Sequence, residues 1–174
     1  IYTHSHVDHY GGIKGVLSDE DIANGLQIIA PEGFLKAAVS ENVLAGNAMG
    51  RRATYMYGSM LPPGPKGHVD AGLGKTVSVG SVNLVPPTVS ICETGGKLTV
   101  DGVEIEFQVT PDTEAPAEMN FYFPQFKALC MAENCSCHLH NIITPRGAQV
   151  RDAKSWSYYI NEAIDLYASR TDVM

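Results

Sequence analysis

Residues 4–9, His4-Ser5-His6-Val7-Asp8-His9, put three histidines and an aspartate within six positions, and no other stretch restricts the fold as much. Helical geometry sends residues two apart to different faces, so a shared ion requires an extended segment that turns into a loop. Neutral imidazoles and a carboxylate at this density suit zinc or a similar borderline metal. Packed this closely, the four can serve two adjacent ions, His4 and His6 on one, Asp8 and His9 on the other. A histidine-rich surface loop or an expression tag would not carry the apolar lead-in Ile1-Tyr2 and the exit Gly11-Gly12.

The rest of the composition narrows the function classes. At 44% hydrophobic and 18% charged, the 174 residues have the make-up of one globular domain with a real core. A formal net charge of −7 and scattered basic residues, with Arg51-Arg52 the one adjacent pair, argue against nucleic acid as a partner. No run approaches the roughly 20 apolar residues of a membrane span. The compartment is unknown from this chain. It has no initiator Met, opens on a ligand motif and closes shortly after an amphipathic helix, which reads as an internal segment of a larger protein. Cys92, Cys130, Cys135 and Cys137 read as free thiols, with a lean to a reducing compartment. The Cys135-x-Cys137 spacing is too tight for a usual zinc knuckle.

Several elements are legible. Ser18 with Asp21 three residues on predicts a capped short helix ending at Gly25, and residues 26–30 predict a buried strand. Pro31 opens a helical pattern to about Tyr55, followed by a proline-rich loop over 59–67. Residues 77–79 and 82–85 predict strands. Asp101-Gly102 predicts a hairpin between residues 98–100 and 103–109, and residues 121–123 and 128–131 a second. The stripe Trp156, Tyr159, Ile160, Ala163, Ile164 and Tyr167 predicts a helix over 153–168. Helices and hairpins in this order suit an α/β layered fold.

Two glutamates lie on loops leaving strands, where a rigid scaffold usually carries its site: Glu114 in Thr110-Pro111-Asp112-Thr113-Glu114, and Glu133 in Met131-Ala132-Glu133-Asn134. With these on the page, Thr3-His4-Ser5-His6-Val7-Asp8-His9-Tyr10-Gly11-Gly12 resembles the signature of the metallo-β-lactamase superfamily. The stretches 30–34 (Ala-Pro-Glu-Gly-Phe), 41–57, 113–119 and 146–152 narrow the resemblance to the alkylsulfatases, over nearly the whole chain.

The resemblance implies part of a metallo-β-lactamase-like αββα sandwich and two zinc ions. His4, His6 and Glu114 would hold one, Asp8 and His9 the other, and Glu133 would bridge them. It divides the chain into residues 1–152, part of the catalytic domain, and 153–174, a helix at the start of a dimerisation domain, the full-length protein being a homodimer. A further histidine ligand is expected beyond residue 174. Arg146 is placed on the sulfate, where its planar fork suits an oxyanion.

His140, in Leu139-His140-Asn141, can supply a proton to the leaving oxygen, or can be a packed structural histidine. Asp70-Ala71-Gly72-Leu73-Gly74-Lys75 lacks the earlier glycine of a phosphate loop, that position being Val69. Backbone amides around Gly72 and Gly74, with Lys75, can still cradle a sulfate, or form an ordinary turn. The sequon Asn134-Cys135-Ser136 abuts a metal ligand and is discounted. The function implied is hydrolysis of alkyl sulfates, with Asp8, Glu133, His140 and Arg146 carrying the chemistry. Another metallo-hydrolase acting on a thioester, lactone or β-lactam, or an inactive metal-binding piece, are the alternatives.

Overall fold

The structure, a computed structural model, describes residues 1–78 and 80–174. Helical segments are α1 (Val7–Tyr10), α2 (Asp19–Ala23), α3 (Phe34–Val39), α4 (Gly46–Tyr57) and α5 (Ala153–Tyr167). The strands are β1 (Ile29–Pro31), β2 (Val89–Ile91), β3 (Lys97–Val100), β4 (Val103–Val109), β5 (Met119–Phe123) and β6 (Ala128–Cys130). β1 and β2 pair in parallel, and β3-β4-β5-β6 form an antiparallel meander.

The N-terminal segment stitches the two sheets together. Tyr2 N–H donates to Ile29 O, Met119 N–H to Thr3 O, and Ser5 N–H to Ala117 O, at 2.8, 3.0 and 3.1 Å. Residues 2–5 thereby run between β1 and the start of β5, and His4 pairs with Glu118. The chain stays extended through His6 and then enters the helical turn α1 rather than an open loop, so Asp8 and His9 sit on a helical turn.

Apolar alternation sets the layers. Tyr2, Ile28, Ala30, Phe34 and Ala38 are buried on one side of the parallel pair, where Phe34 stacks on Tyr2 with ring centroids 4.7 Å apart. Ile29, Ile91, Ile105, Phe107, Met119 and Phe121 fill the next layer. On the far face of the meander, Tyr122, Leu129 and Met131 receive Ala163 and Tyr167 of α5.

The predicted α2 has its capping box, Ser18 and Asp21 each bonding the other's backbone N–H. The two hairpins and α5 match their predicted ranges to within a few residues. Several expectations fail. The helix expected from Pro31 to Tyr55 is interrupted by a π-helical turn at Ser40–Leu44, so α3 and α4 are separate. The first predicted strand lies later, at Ile29–Pro31, because Leu26 is left 44% exposed and cannot belong to a buried strand. Residues 82–85 form no strand, because their bonds go elsewhere: Asn83 N–H donates to Gly11 O (2.9 Å) and Tyr2 Oη to Val85 O (3.1 Å). The partner of β1 is Val89–Ile91 instead. Val79 lies outside the described residues, and Val77-Ser78 are not in a strand.

α5 covers polar as well as apolar groups. Gln108 Nε2 donates to Tyr159 O and Glu162 Oε2, and Asn120 Nδ2 donates to Gln108 Oε1. Asn134 Nδ2 donates to Asn120 Oδ1 and Thr110 Oγ1, and Trp156 Nε1 donates to Asn134 O. Asn134 is 4% exposed, which closes the sequon to a glycan.

Beside this network Glu106 accepts from Arg170 Nη2 (2.5 Å) and Lys97 Nζ (2.7 Å). The Arg170 bond, more than that of Lys97, holds the Glu106 carboxyl below its usual 4.5 against the opposing effect of burial. A pKa lowered by folding means that the unfolded chain binds the proton more tightly. The stabilisation is therefore complete above pH 4.5 and is lost as the pH falls through the lower folded value. Glu106→Gln should flatten the acid limb of the melting-temperature profile. An unchanged limb in that variant would remove Glu106 from acid stability.

Candidate metal centre

The stitching of residues 2–5 to the 117–119 segment delivers the histidines to the acids. His4 is fully buried, and its Nδ1 lies 3.0 Å from Thr3 Oγ1, which leaves Nε2 as the free nitrogen. That nitrogen is 3.4 Å from Glu114 Oε2 and 3.4 Å from Glu133 Oε2. His6 Nδ1 is 2.8 Å from Glu114 Oε2. His9 Nε2 is 3.0 Å from Glu133 Oε2 and 3.5 Å from Asp8 Oδ2. Two ligand sets result: His4, His6, Glu114 and Glu133, then Asp8, His9 and Glu133, each with ligand atoms within 4.8 Å of one another. One oxygen of Glu133 belongs to both.

The two separations at His4 Nε2 fit a metal, while those of His6 to Glu114 and of His9 to Glu133 are shorter. Ligands about 2.0–2.2 Å from a tetrahedral ion stand about 3.3–3.6 Å apart, and the two separations at His4 fall in that interval. His4 Nε2 and Glu114 Oε2 are buried with no hydrogen-bond partner. An unsatisfied buried polar atom costs about 1–3 kcal/mol, a penalty that a cation between the two removes. Histidine nitrogens with carboxylate oxygens are a zinc-type donor set.

The electrostatics agree. Burial lowers the His4 pKa and keeps the imidazole neutral, the ligating form. The imidazoles of His4 and His9 beside it hold the Glu133 carboxyl far below its usual range. His9 is pushed up to about 10 by its hydrogen bonds to Asp8 and Glu133, and that proton would have to leave for the ring to ligate a metal. For Glu114, burial alone acts upward, but the adjacent His6 imidazole and the charges of His6, His4 and Arg151 outweigh it and leave the carboxyl lowered.

Of the other expected residues, His140 and Arg146 lie at the margin of the centre. His140 Nδ1–H donates to Asn141 O (2.8 Å), and its Nε2 is 3.6 Å from Glu114 Oε1. Arg146 is paired with Glu41 through Nη1, and Glu41 Oε2 is 3.9 Å from His6 Nε2. Its neighbour Gly147 has φ 95°, the left-handed region that favours glycine, and Arg52 Nη1 stands 2.5 Å from where a Cβ would be. Gly72, Gly74 and Lys75 are exposed. They form an exposed turn in which Gly72 N–H donates to Asp70 Oδ1 (2.6 Å) and Ala71 N–H to Gly74 O (2.8 Å).

Three residues were missed by sequence reasoning. Glu41 lies on the π-helical turn, Arg151 is buried against Glu114, and Glu118 is fully buried. Glu118 Oε2 accepts from Ala115 N–H (2.8 Å) and Thr113 Oγ1 (3.2 Å), and its Oε1 from Glu133 N–H (3.4 Å), tying the two ligand loops to one carboxyl. Burial pushes that carboxyl up to about 8, with the Glu114 charge adding to it. The π turn that carries Glu41, a feature uncommon and concentrated at functional sites, reads in the sequence as continuous helix. The four cysteines are free, and none belongs to a metal-ligand group among the described residues.

No family model matches the chain. Over its whole length it is 53% identical to a linear primary-alkylsulfatase from Pseudomonas sp., of which it spans 26%. The solved structure of a stereoselective inverting sec-alkylsulfatase from Pseudomonas sp. superposes on 99% of the chain with a TM-score of 0.93 at 48% identity; the chain spans 28% of it. The metallo-β-lactamase IND-7 superposes with a TM-score of 0.51 at 14% identity, over 99% of this chain and 57% of that one, a likeness of fold alone. By sequence and by fold, the chain is thus homologous to a part of the alkylsulfatases, on the metallo-β-lactamase scaffold.

Proposed function

We propose that the whole protein is a zinc-dependent alkylsulfatase, hydrolysing alkyl sulfate esters to an alcohol and inorganic sulfate. The observation that carries this is the convergence of His4, His6, Glu114 and Glu133 on two orphaned, buried ligand atoms. The homology to alkylsulfatases supplies the substrate class. His4, His6 and Glu114 would hold one ion and Asp8 and His9 the other, with Glu133 common to both sets. When bound, such ions supply a Lewis-acidic clamp that acidifies water.

The chain's own residues do the rest. Arg146 offers the sulfate a planar fork, and Glu41 holds that guanidinium beside His6. His140 has committed Nδ1–H to Asn141, so Nε2 is the nitrogen that exchanges a proton with the leaving oxygen. In the same reading, residues 153–174 are the junction to a dimerisation domain and the protein acts as a homodimer.

Full-length protein purified with zinc should hold two equivalents of metal and release sulfate from dodecyl sulfate, with activity lost to a chelator and restored by zinc. Less than one equivalent would refute the ligand set. Preferred turnover of a thioester, lactone or β-lactam would refute the substrate class.

A further inference from the structure

We propose that Arg151 is a positioning residue that makes Glu114 a one-oxygen metal ligand and cancels its charge. The inference rests on the metal reading above and adds to it a residue outside the ligand set. A carboxylate has two equivalent oxygens and can turn either, or both, towards an ion. In this chain the choice is already made. Arg151 Nη2 donates to Glu114 Oε1, and Arg151 Nε donates to the Glu114 carbonyl at 2.7 Å. One guanidinium thus pins both the backbone and the far end of the glutamate, which fixes the torsions between them. The oxygen left over, Oε2, accepts no hydrogen bond and faces His6 Nδ1 and His4 Nε2.

Arg151 can do this because it is itself immobile. It is 8% exposed, its Nη1 donates to Asn141 Oδ1 (2.9 Å), and its own N–H donates to Ile142 O (2.9 Å). All of its donor groups that reach Glu114 come from a rigid planar fork, a geometry lysine lacks.

The charge matters as much as the geometry. Asp8, Glu114 and Glu133 bring three negative charges to the two ligand sets. Arg151 neutralises one of them at contact distance, so that Glu114 acts towards an ion as a nearly uncharged donor. Two divalent ions then leave the centre more positive than its carboxylates alone would allow, which favours an anionic substrate.

The test compares the full-length wild type with Arg151→Met, Arg151→Lys and the double variant Arg151→Met/Glu114→His. Each is loaded with cobalt(II), titrated with a chelator and followed by its visible absorption, and the melting temperature of each metal-free form is measured alongside. In Arg151→Met, one of the two ions should bind about 10–100-fold more weakly, with an altered cobalt spectrum, while the other keeps its affinity. Arg151→Lys, which keeps the charge and not the fork, should fall between, and it carries the comparison if Arg151→Met does not fold. Adding Glu114→His should restore the lost affinity, because an imidazole needs neither a counter-charge nor an oxygen held aside.

Unchanged affinity and spectrum in both single variants would overturn the proposal. So would equal weakening of both ions with a lowered metal-free melting temperature and no rescue by Glu114→His, the signature of a residue that only supports the fold. Wild type holding less than one equivalent would instead bring down the metal reading and this proposal with it.

Discussion

Glu133→Gln should lower kcat/KM for dodecyl sulfate by about two decades and leave the protein short of its second metal equivalent. Glu133 Oε2 is the one ligand atom common to both sets, 3.4 Å from His4 Nε2 and 3.0 Å from His9 Nε2. Glutamine keeps the shape and removes the charge, and a neutral amide oxygen binds two cations poorly. Breaking a buried ion pair costs about 3–5 kcal/mol. Because 36% of the side chain is exposed, the lower end, about 3 kcal/mol, is the appropriate figure, and at 1.36 kcal/mol per decade it gives about two decades. Zinc stoichiometry and kinetics on the same sample decide it. Two tightly held equivalents with wild-type turnover would exclude Glu133 as the shared ligand.

Arg146→Lys should cost about one to two decades in kcat/KM, the equivalent of about 1.5–3 kcal/mol for a charge-assisted hydrogen bond. The charge survives the change, but an ammonium cannot reproduce a planar fork. Zinc content should stay at the wild-type level, since Arg146 reaches the ligands only through Glu41. A purely structural arginine forecasts the reverse, a lowered melting temperature with unchanged kinetics per folded molecule. Measuring desulfation of dodecyl sulfate and melting temperature on one full-length variant separates the two roles.

What the sequence made legible follows from the range of the forces involved. The His-x-His-x-Asp-His run carries its chemistry locally, and the structure gathers its four side chains into two groups that could hold a metal ion. Both hairpins were legible because period-two alternation and an Asp-Gly turn are local signals. The pairing of β1 was not, since Val82–Val85 and Val89–Ile91 are equally apolar and nothing nearby says which meets residue 29. Glu118 looked like any loop acid, and its burial comes from an N-terminal segment more than a hundred residues away in sequence. Arg151 likewise owes its role to a loop it meets only in the folded chain. At the phosphate-loop-like glycines, the Gly72 amide bonds the Asp70 carboxylate of its own turn.

The seam formed by residues 2–5 has a mechanical consequence. Backbone bonds from Thr3 and Ser5 hold the histidine segment to the 117–119 segment, while the chain between them wanders through two sheets and four helical segments. An ion gripped by His4 on one side and Glu114 on the other would act as a rivet closing a covalent circuit of roughly a hundred residues, for which cross-link entropy is about 4–5 kcal/mol. Occupancy of the centre would then reinforce the backbone bonds that sew the two halves of the scaffold together, and chelation would loosen that seam.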